Sequence, residues 1–243
     1  MKKIYCFLLM FIINIDVSYA ENLIVIDPSS DRITINSGFD GDELIVYGTK
    51  KDGDLAIIVR GADSNMLVRK KSEIMGMWVN TQSVIFDKVP LYYDYAIVGE
   101  EENLAGNLTL KDLGIGINSM NYNNDEEDKL KADIFHESLI RIRQTEGLLP
   151  LSTKKVEFIT PEFFKVKFAL PSNVPVGKYI IEAFLFKDGK VIDSYRSDFP
   201  VLQIGFNGNI NNWASNHSWF YGLGMVIFAV FMGWASNFVS RKK

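Results

Sequence analysis

Cysteine is nearly absent from this chain of 243 residues, because Cys6 is the only one. A single thiol cannot form an internal disulfide, so the fold must be held by core packing. Histidine is almost as scarce, with only His136 and His217 available as side chains that titrate near neutral pH. The scarcity of histidine disfavours a hydrolytic triad, which usually needs such a base.

Motifs for metal or phosphate chemistry are also missing from the sequence. The stretch His136–Ser138 is not the zinc-binding His-Glu-x-x-His pattern, because Ile140 stands where the second histidine belongs. The glycine-containing stretch 113–118 lacks the lysine of a phosphate-binding loop. The sequence therefore predicts a protein that is not an enzyme, with no catalytic residue, metal ligand or cofactor.

The amino-terminal segment has the pattern of a secretory signal peptide. Lys2 and Lys3 precede an apolar stretch over residues 4–15, and small residues at Ser18 and Ala20 stand where a signal peptidase reads. The apolar stretch is about half of the roughly 20 residues that a membrane span needs. We therefore expect residues 1–20 to be a signal peptide that is cleaved after Ala20.

The carboxy-terminal segment has the pattern of a membrane span. Residues 219–239 carry no charge over a length that would make roughly 31 Å of helix, which matches one bilayer core. Three cations follow in the tail at 240–243, as expected for the cytoplasmic side. The sequence predicts a single-pass membrane protein, with its larger domain exported and a short tail in the cytoplasm.

Small residues recur along one side of the predicted span. Gly222, Ala229, Gly233 and Ser236 fall within a stripe of about 60° at 100° per residue. Small side chains let a second helix approach closely, so this stripe is a candidate helix-contact site for self-association or a membrane-protein partner. Ordinary membrane composition is the alternative explanation.

Residues 21–218 are acidic, with 21 Lys and Arg against 29 Asp and Glu, a net charge of about −8. That excess argues against a nucleic-acid partner and against general adhesion to anionic lipid, since both need a cationic surface. Solubility is the simplest role of the acidic residues.

Short β-rich stretches separated by turn residues dominate residues 21–120. Regular spacing of such stretches predicts a mainly β fold, with an immunoglobulin-like β-sandwich module over 21–120. The stretch 50–54, Lys-Lys-Asp-Gly-Asp, is the clearest hairpin signal in this module.

A helical connector is predicted over 121–149, between the first module and a second small β module at 150–206. Asn124 or Asp125 is the expected cap, and an apolar stripe is expected at Leu130, Ile134, Leu139 and Ile142. The second module contains a hairpin around Asp188-Gly189, and a polar linker at 207–218 leads to the membrane. The pattern leaves open whether the two modules form one unit.

The stretch 68–80, Val-Arg-Lys-Lys-Ser-Glu-Ile-Met-Gly-Met-Trp-Val-Asn, combines cations with methionines and a tryptophan. If one strand ran through it, Met75 and Met77 would share a face and Trp78 would lie on the other. Burial of Trp78 in the core of the sandwich is the favoured interpretation. A weak alternative is a ligand site for a soft metal or a glycan at Met75, Met77 and Trp78.

Several stretches together resemble a known family: "RKKSEIMGMWVN", "VPLYYDYAIV", "RQTEGLLPL", "LPSNVPVGKYIIEAFLFKDGKVI" and "YGLGMVIFAVFMGWASNFVSRKK". The chain is similar to the alphaproteobacterial family of putative transmembrane proteins. The resemblance implies no catalytic residues. It implies a place in a bacterial inner membrane, with the larger domain in the periplasm. It also suggests an interaction role, as an accessory to a transporter of the sulfite-exporter permease type or to another envelope protein. A periplasmic binding module for a metal or a glycan is the alternative function.

Overall fold

A computed structural model describes residues 22–99, 104–120, 122–124, 126–204 and 218–240. The predicted signal peptide at 1–20 lies outside these ranges, and so do the predicted linker at 207–218 and tail at 240–243, apart from Ser218 and Ser240. Predictions for those segments therefore remain predictions.

Twelve strands and three α-helices make up the described part of the chain. The strands are β1 Ile24–Pro28, β2 Ile33–Ile35, β3 Gly41–Lys50, β4 Asp54–Arg60, β5 Asp63–Ile74, β6 Met77–Pro90, β7 Tyr93–Ile97, β8 Asn123–Asn124, β9 Val156–Phe158, β10 Phe163–Pro171, β11 Gly177–Lys187 and β12 Lys190–Gln203. The helices are α1 Asn107–Leu113, α2 Lys129–Thr145 and α3 Ser218–Ser240, with a 3-10 turn at Ile117–Ser119. The prediction of a mainly β fold is confirmed.

Two sheets built from both halves of the sequence face each other. The first has the strand order β1-β3-β10-β9 and the second β2-β12-β11-β4-β7. Strand β10 pairs with β3 over nine residue pairs, and β11 pairs with β4 over seven. The segments 21–120 and 150–206 therefore contribute strands to the same sheets, which resolves the question that the sequence left open. The immunoglobulin-like assignment stays a prediction.

Alternation along the strands fills the space between these two sheets. On β10, Phe164, Val166, Phe168 and Leu170 point inward, and they meet Ile181, Ala183 and Leu185 of β11. The side chains between them, at Lys165 and Lys167, form ion pairs with Glu157 and Glu43 at the surface. This core is the principal stabilising element, since fully burying each large apolar side chain contributes about 1.5–3 kcal/mol.

The stretch 50–54 does not form a hairpin, contrary to the prediction. It connects β3 to β4, but β3 lies in the first sheet and β4 in the second. Gly53 provides the positive φ of 144° at this crossing. The turn chemistry was identified correctly, but the sequence does not show which strand each arm pairs with. The hairpin predicted at Asp188-Gly189 does form, with Lys187 opposite Lys190.

A third layer covers the outer face of the second sheet. Strands β5 and β6 form a long hairpin, which pairs with β8 in a separate sheet, and α1 and α2 pack beside it. Their apolar side chains meet Ala56 and Ile58 of β4 and Tyr93 and Tyr95 of β7. Strand β4 is consequently buried on both faces, which explains its continuous apolar stretch.

Helix α2 begins later and turns a different face to the core than the sequence predicts. Its cap is Asp128, whose carboxylate accepts hydrogen bonds from the backbone N–H groups of Leu130 and Lys131 at 3.0 and 3.2 Å. The buried residues are Ala132, Phe135, Leu139 and Arg143. Of the predicted apolar stripe only Leu139 is buried, while Leu130, Ile134 and Ile142 are exposed.

Arg143 attaches α2 to the rest of the domain through polar contacts. Its guanidinium donates hydrogen bonds to the carbonyl oxygens of Leu91 and Pro90, in the connection between β6 and β7, and forms an ion pair with Glu146 at 3.2 Å. Arg143 is 8% exposed, and its burial is tolerated because both terminal nitrogens, Nη1 and Nη2, have acceptors, while Nε is buried without a partner.

Helix α3 follows the sandwich in sequence and covers the predicted span at 219–239. It contains 23 residues, and its described large apolar side chains, from Trp219 to Trp234, are exposed. Within the described ranges, no helix reaches the length and apolarity required for crossing a membrane. The structure shows that this segment is helical. That it spans a membrane remains a prediction.

Candidate functional site

The hairpin of β5 and β6 extends beyond the body of the domain as an arm. All residues from Arg69 to Ser83 are exposed except Ser72, which is half-buried. The arm begins where Val68 and Val84, a cross-strand pair, enter the core. At about 3.4 Å per residue it reaches roughly 20 Å to its turn.

The turn of the arm consists of Met75 and Gly76, between the paired residues Ile74 and Met77. The φ angles of Met75 and Gly76 are 53° and 77°, and positive φ at both central residues is the requirement of a type I′ turn. Such turns match the twist of a two-stranded ribbon. The stretch 68–80 is therefore two strands and a turn, not the single strand assumed from the sequence.

The residues of the predicted ligand site lie at the exposed end of this arm. Met75 is 96% exposed, Met77 65% and Trp78 68%. The prediction that Trp78 is buried in the core is wrong, because the chain reverses at Met75-Gly76 and carries the following strand through solvent. Exposure of these side chains leaves an apolar tip, formed by Ile74, Met75, Met77, Trp78 and Val79.

A metal site at Met75, Met77 and Trp78 gains no support from the other residues that the structure describes. The described ranges contain no cluster of three or more His, Cys, Asp or Glu residues that could hold a metal ion. His136 packs against the rings of Phe86 and Tyr122 at centroid distances of 6.0 and 5.2 Å, and burial lowers its pKa. The nearest acid to the tip along the arm is Glu73, opposite Trp78.

A groove of about 480 Å³ lies between the base of the arm and helix α2. Val68 and Phe135 form its apolar floor, and Leu130, Ile134 and Ile142 line its helical side. These three residues follow a spacing of four and eight, so they lie along one side of the helix, with Ser138 between the last two. The apolar residues of α2 that do not reach the core therefore border this groove.

Cations surround the groove in an otherwise acidic chain. Arg69 and Lys70 come from the arm, and Lys131 and Arg141 come from α2, while Asp128 is the acid that lines it. Lys131 forms an ion pair with Glu126 at 2.5 Å, and the carboxylate of Asp128 caps the amino-terminal end of the helix. Within the described ranges Arg69, Lys70 and Arg141 form no salt bridge. The groove therefore combines apolar surface with cations available to a ligand.

Sequence reasoning missed the groove although it identified most of its residues. The cations of the arm and the apolar positions of α2 were both noted, but they are about 60 residues apart in the chain. The sequence did contain a signal for the groove. Leu130, Ile134 and Ile142 fall on one face of the helix, whereas Leu139 falls on another face with Ala132 and Phe135. Two apolar faces on one helix indicate two separate contacts.

A second cleft, of about 420 Å³, contains a buried carboxylate. Asp94 is 4% exposed, and it accepts a hydrogen bond from the backbone N–H of Tyr95 at 2.9 Å. Burial is the main cause that raises its pKa to about 6, against the opposing effect of Lys154. The hydroxyl of Tyr92, 3.5 Å from Asp94, donates a shorter hydrogen bond to the carbonyl of Ala169 at 2.9 Å. The hydroxyl of Tyr92 thereby links the residue before β7 to β10 of the first sheet.

The predicted helix-contact residues all lie on α3. Gly222, Ala229, Gly233 and Ser236 are exposed, and an added Cβ at Gly222 or Gly233 would meet no atom within 4 Å. The stripe is therefore free of contacts to the described part of the domain. Whether it contacts another helix stays a prediction.

Comparisons with known proteins identify a family. Functionally curated proteins include no match to this chain. A family model described as "putative transmembrane protein", with the short name Alph_Pro_TM, matches residues 23–242. This range includes the sandwich, the arm, the groove and α3, and it confirms the resemblance seen in the sequence. The chain thus belongs to this family of putative transmembrane proteins, whose name points to alphaproteobacteria.

Proposed function

We propose that this chain is a membrane-anchored interaction protein, whose groove between the arm and α2 binds an acidic, apolar segment of another envelope protein. The observation that carries the proposal is the groove, in which Leu130, Ile134 and Ile142 are exposed beside Arg69, Lys70 and Arg141. Apolar area provides affinity, and unpaired cations select a partner of opposite charge.

The membrane anchor in this proposal is α3, with the sandwich on the periplasmic side. Support comes from membership in a family of putative transmembrane proteins and from the absence of charged residues between Ser218 and Ser240. Apolar side chains from Trp219 to Trp234 are exposed all along the described helix, which suits a lipid environment better than water. The cations at 240–243 suit a cytoplasmic tail.

The proposed partner is a transporter, such as a permease of the sulfite-exporter type, or another protein of the same membrane. A partner in the same bilayer would be held near the groove by the anchor, which raises its effective concentration. The groove can therefore act with modest intrinsic affinity. Binding, not catalysis, is the proposed activity.

Site-specific photocrosslinking in native membranes tests this proposal. A photoreactive amino acid at Ile134 should give a discrete adduct with a membrane protein, while the same group at Ser30, in an exposed polar turn, should not. Charge reversal by Arg69→Glu with Arg141→Glu should reduce the adduct at least tenfold, since two favourable contacts become repulsive. The matched control is Lys155→Glu, an exposed cation outside the groove.

Equal adducts from Ile134 and Ser30, or equal yields from the charge-reversed and control variants, would contradict the proposal. If a glycan or metal were the ligand instead, saturable quenching of tryptophan fluorescence on titration would appear and the protein adduct would be missing.

A further inference from the structure

The apolar tip of the arm is a second, separate surface that the groove does not explain. Building on the proposed anchoring, we infer that this tip inserts into the interface of a bilayer that contains anionic phospholipid, close to the membrane that holds α3. The domain would then contact the membrane at two points, the carboxy-terminal helix and the arm.

Both faces of the arm carry a large apolar side chain at its tip, and Glu73, opposite Trp78, is the one charged residue among them. Side chains alternate between the faces of a strand, so Ile74, Met77 and Val79 lie on one face and Trp78 on the other. Met75 extends from the turn itself and is 96% exposed. A docking surface on a folded protein needs one apolar face, whereas apolar side chains on both faces and at the turn suit a medium that surrounds the tip.

The height of the apolar tip matches the depth of a bilayer interface. Three cross-strand pairs, Ile74 with Met77, Glu73 with Trp78 and Ser72 with Val79, form its end. At about 3.4 Å per residue these pairs and the turn extend for roughly 7–10 Å. Interfacial segments insert their apolar residues to a depth of about 5–10 Å, and tryptophan is favoured there.

Cations follow immediately behind this tip on both faces. Lys71 pairs with Asn80, Lys70 with Gln82 and Arg69 with Ser83, in the next three pairs. Lys70 lies on the face of Ile74, while Arg69 and Lys71 lie on the face of Trp78. The cations therefore lie on both faces of the arm at the level where the phosphate groups would lie if the tip were inserted. Arg69 and Lys70 also line the groove, so Lys71 is the cation of the arm that the groove does not use.

The charge of the rest of the domain restricts contact to the arm. Residues 67–83 contain three cations and one acid, Glu73, although residues 21–218 carry about −8 in total. An anionic surface repels the domain as a whole and attracts the arm, at about 1 kcal/mol or fivefold in affinity per cation. This local charge refines the expectation, from net charge alone, that the domain avoids anionic lipid.

The length of the connection to α3 sets a limit on how far the body of the domain can lie from that helix. Thirteen residues, 205–217, separate Ile204 from Ser218, and a chain of that length spans at most about 50 Å. If the tip is inserted, the arm of roughly 20 Å would hold the body of the domain away from the bilayer by about that length, which is within this limit.

A polarity-sensitive fluorophore on the full chain in lipid discs tests the inference. The variant Met75→Cys, with Cys6→Ser, provides one thiol at the tip, and Ser30→Cys provides a matched exposed control. In discs of phosphatidylcholine with phosphatidylglycerol, quenchers on the lipid headgroup region should quench the dye at position 75 and not at position 30. Neutralising Arg69, Lys70 and Lys71 to glutamine should lower the ratio of quenched to unquenched dye about 100-fold at low salt.

Two further variants test the apolar and charged contributions, and the second discriminates lipid from a cationic protein as the occupant. Trp78→Ser should lower that ratio about tenfold, and Glu73→Gln should raise it, because removal of the one acid favours an anionic surface. A cationic protein partner would show the opposite response to Glu73→Gln.

The outcomes also separate this inference from the proposed function. If the chain stays in the disc but position 75 is quenched no more than position 30, the tip does not contact lipid, while anchoring stands. Crosslinks from the tip to protein alone would likewise overturn the inference. If α3 fails to hold the chain in the disc, the anchoring proposal fails. The labelled chain is then mixed with vesicles of the same lipids. Unquenched dye at position 75 in this mixture would refute insertion of the tip.

Discussion

The carboxylate of Asp94 lies 3.6 Å from the ammonium group of Lys154, measured from Oδ2 to Nζ, yet burial keeps the pKa of that carboxyl group raised at about 6. A nearby cation normally lowers the pKa of an acid. Here the loss of hydration outweighs it, because Asp94 is buried and the side chain of Lys154 is partly exposed.

Stability should therefore depend on pH through Asp94. The folded state binds its proton more tightly than the unfolded state, whose Asp pKa is about 3.9. The stabilisation is complete below about pH 4 and is lost as the pH rises through 6, amounting to at most about 3 kcal/mol at 1.36 kcal/mol per pKa unit. Asp94→Asn should flatten the unfolding free energy between pH 4 and 6, measured with denaturant. An unchanged slope in this variant would show that other groups dominate.

Gly48 should be intolerant of any side chain. It lies in β3 between β1 and β10, where an added Cβ would be 2.7 Å from the carbonyl oxygen of Val25 and would meet the ring of Phe164. Gly48→Ala should lower the free energy of unfolding by about 1–3 kcal/mol. Gly38→Ala is the control, since its closest neighbour would be at 3.6 Å and its loop is exposed. Equal effects of the two substitutions would contradict the close strand packing at Gly48.

At the turn of the arm, the effect of a substitution on stability should depend only on the backbone conformation that the new residue prefers. An added Cβ at Gly76 would meet no atom within 4 Å, but the φ of 77° is unfavourable for residues with a Cβ. Gly76→Ala should destabilise the arm by about 1–2 kcal/mol, and Met75→Asn should stabilise it, because asparagine tolerates positive φ. Hydrogen exchange of the arm amides provides the measurement. Faster exchange in Met75→Asn would argue against the turn type.

The two faces of α2 should differ in their contribution to stability. Leu139 is buried, so Leu139→Ala should cost about 2–5 kcal/mol, whereas the exposed Ile134 should tolerate replacement by serine within about 0.5 kcal/mol. Thermal unfolding of the two variants checks this difference. A large loss for Ile134→Ser would mean that part of the protein itself covers the groove.

The small-residue stripe of α3 should mediate a helix contact of modest strength. Gly233→Ile or Ala229→Ile adds bulk where helices approach closely, and it should weaken association by about 1–2 kcal/mol without impairing insertion. Val230→Ile, on another side of the helix, is the control. A quantitative association assay in membranes that shows equal values for all variants would refute the contact.

Local chemistry in the sequence was sufficient for the mainly β character of the chain, for the turn at Asp188-Gly189 and for the existence of α2. Alternation of apolar and polar residues, turn residues with positive φ and capping acids act within a few positions of the chain, so a single sequence contains them. Family membership also followed from the sequence, because it is a property of the residues themselves.

Long-range pairing was decided only in the tertiary structure. The stretch 50–54 has the chemistry of a hairpin but connects two sheets, because β3 finds its partner in β10 and β4 in β11, more than 100 residues away. Trp78 has the character of a core residue but is exposed, because the chain reverses two residues before it. The sequence shows which side chains are apolar and therefore lower the free energy when they are buried. The tertiary structure determines which of them are buried in the core. Those left over, at the tip of the arm and along the groove, are the surfaces proposed here for recognition.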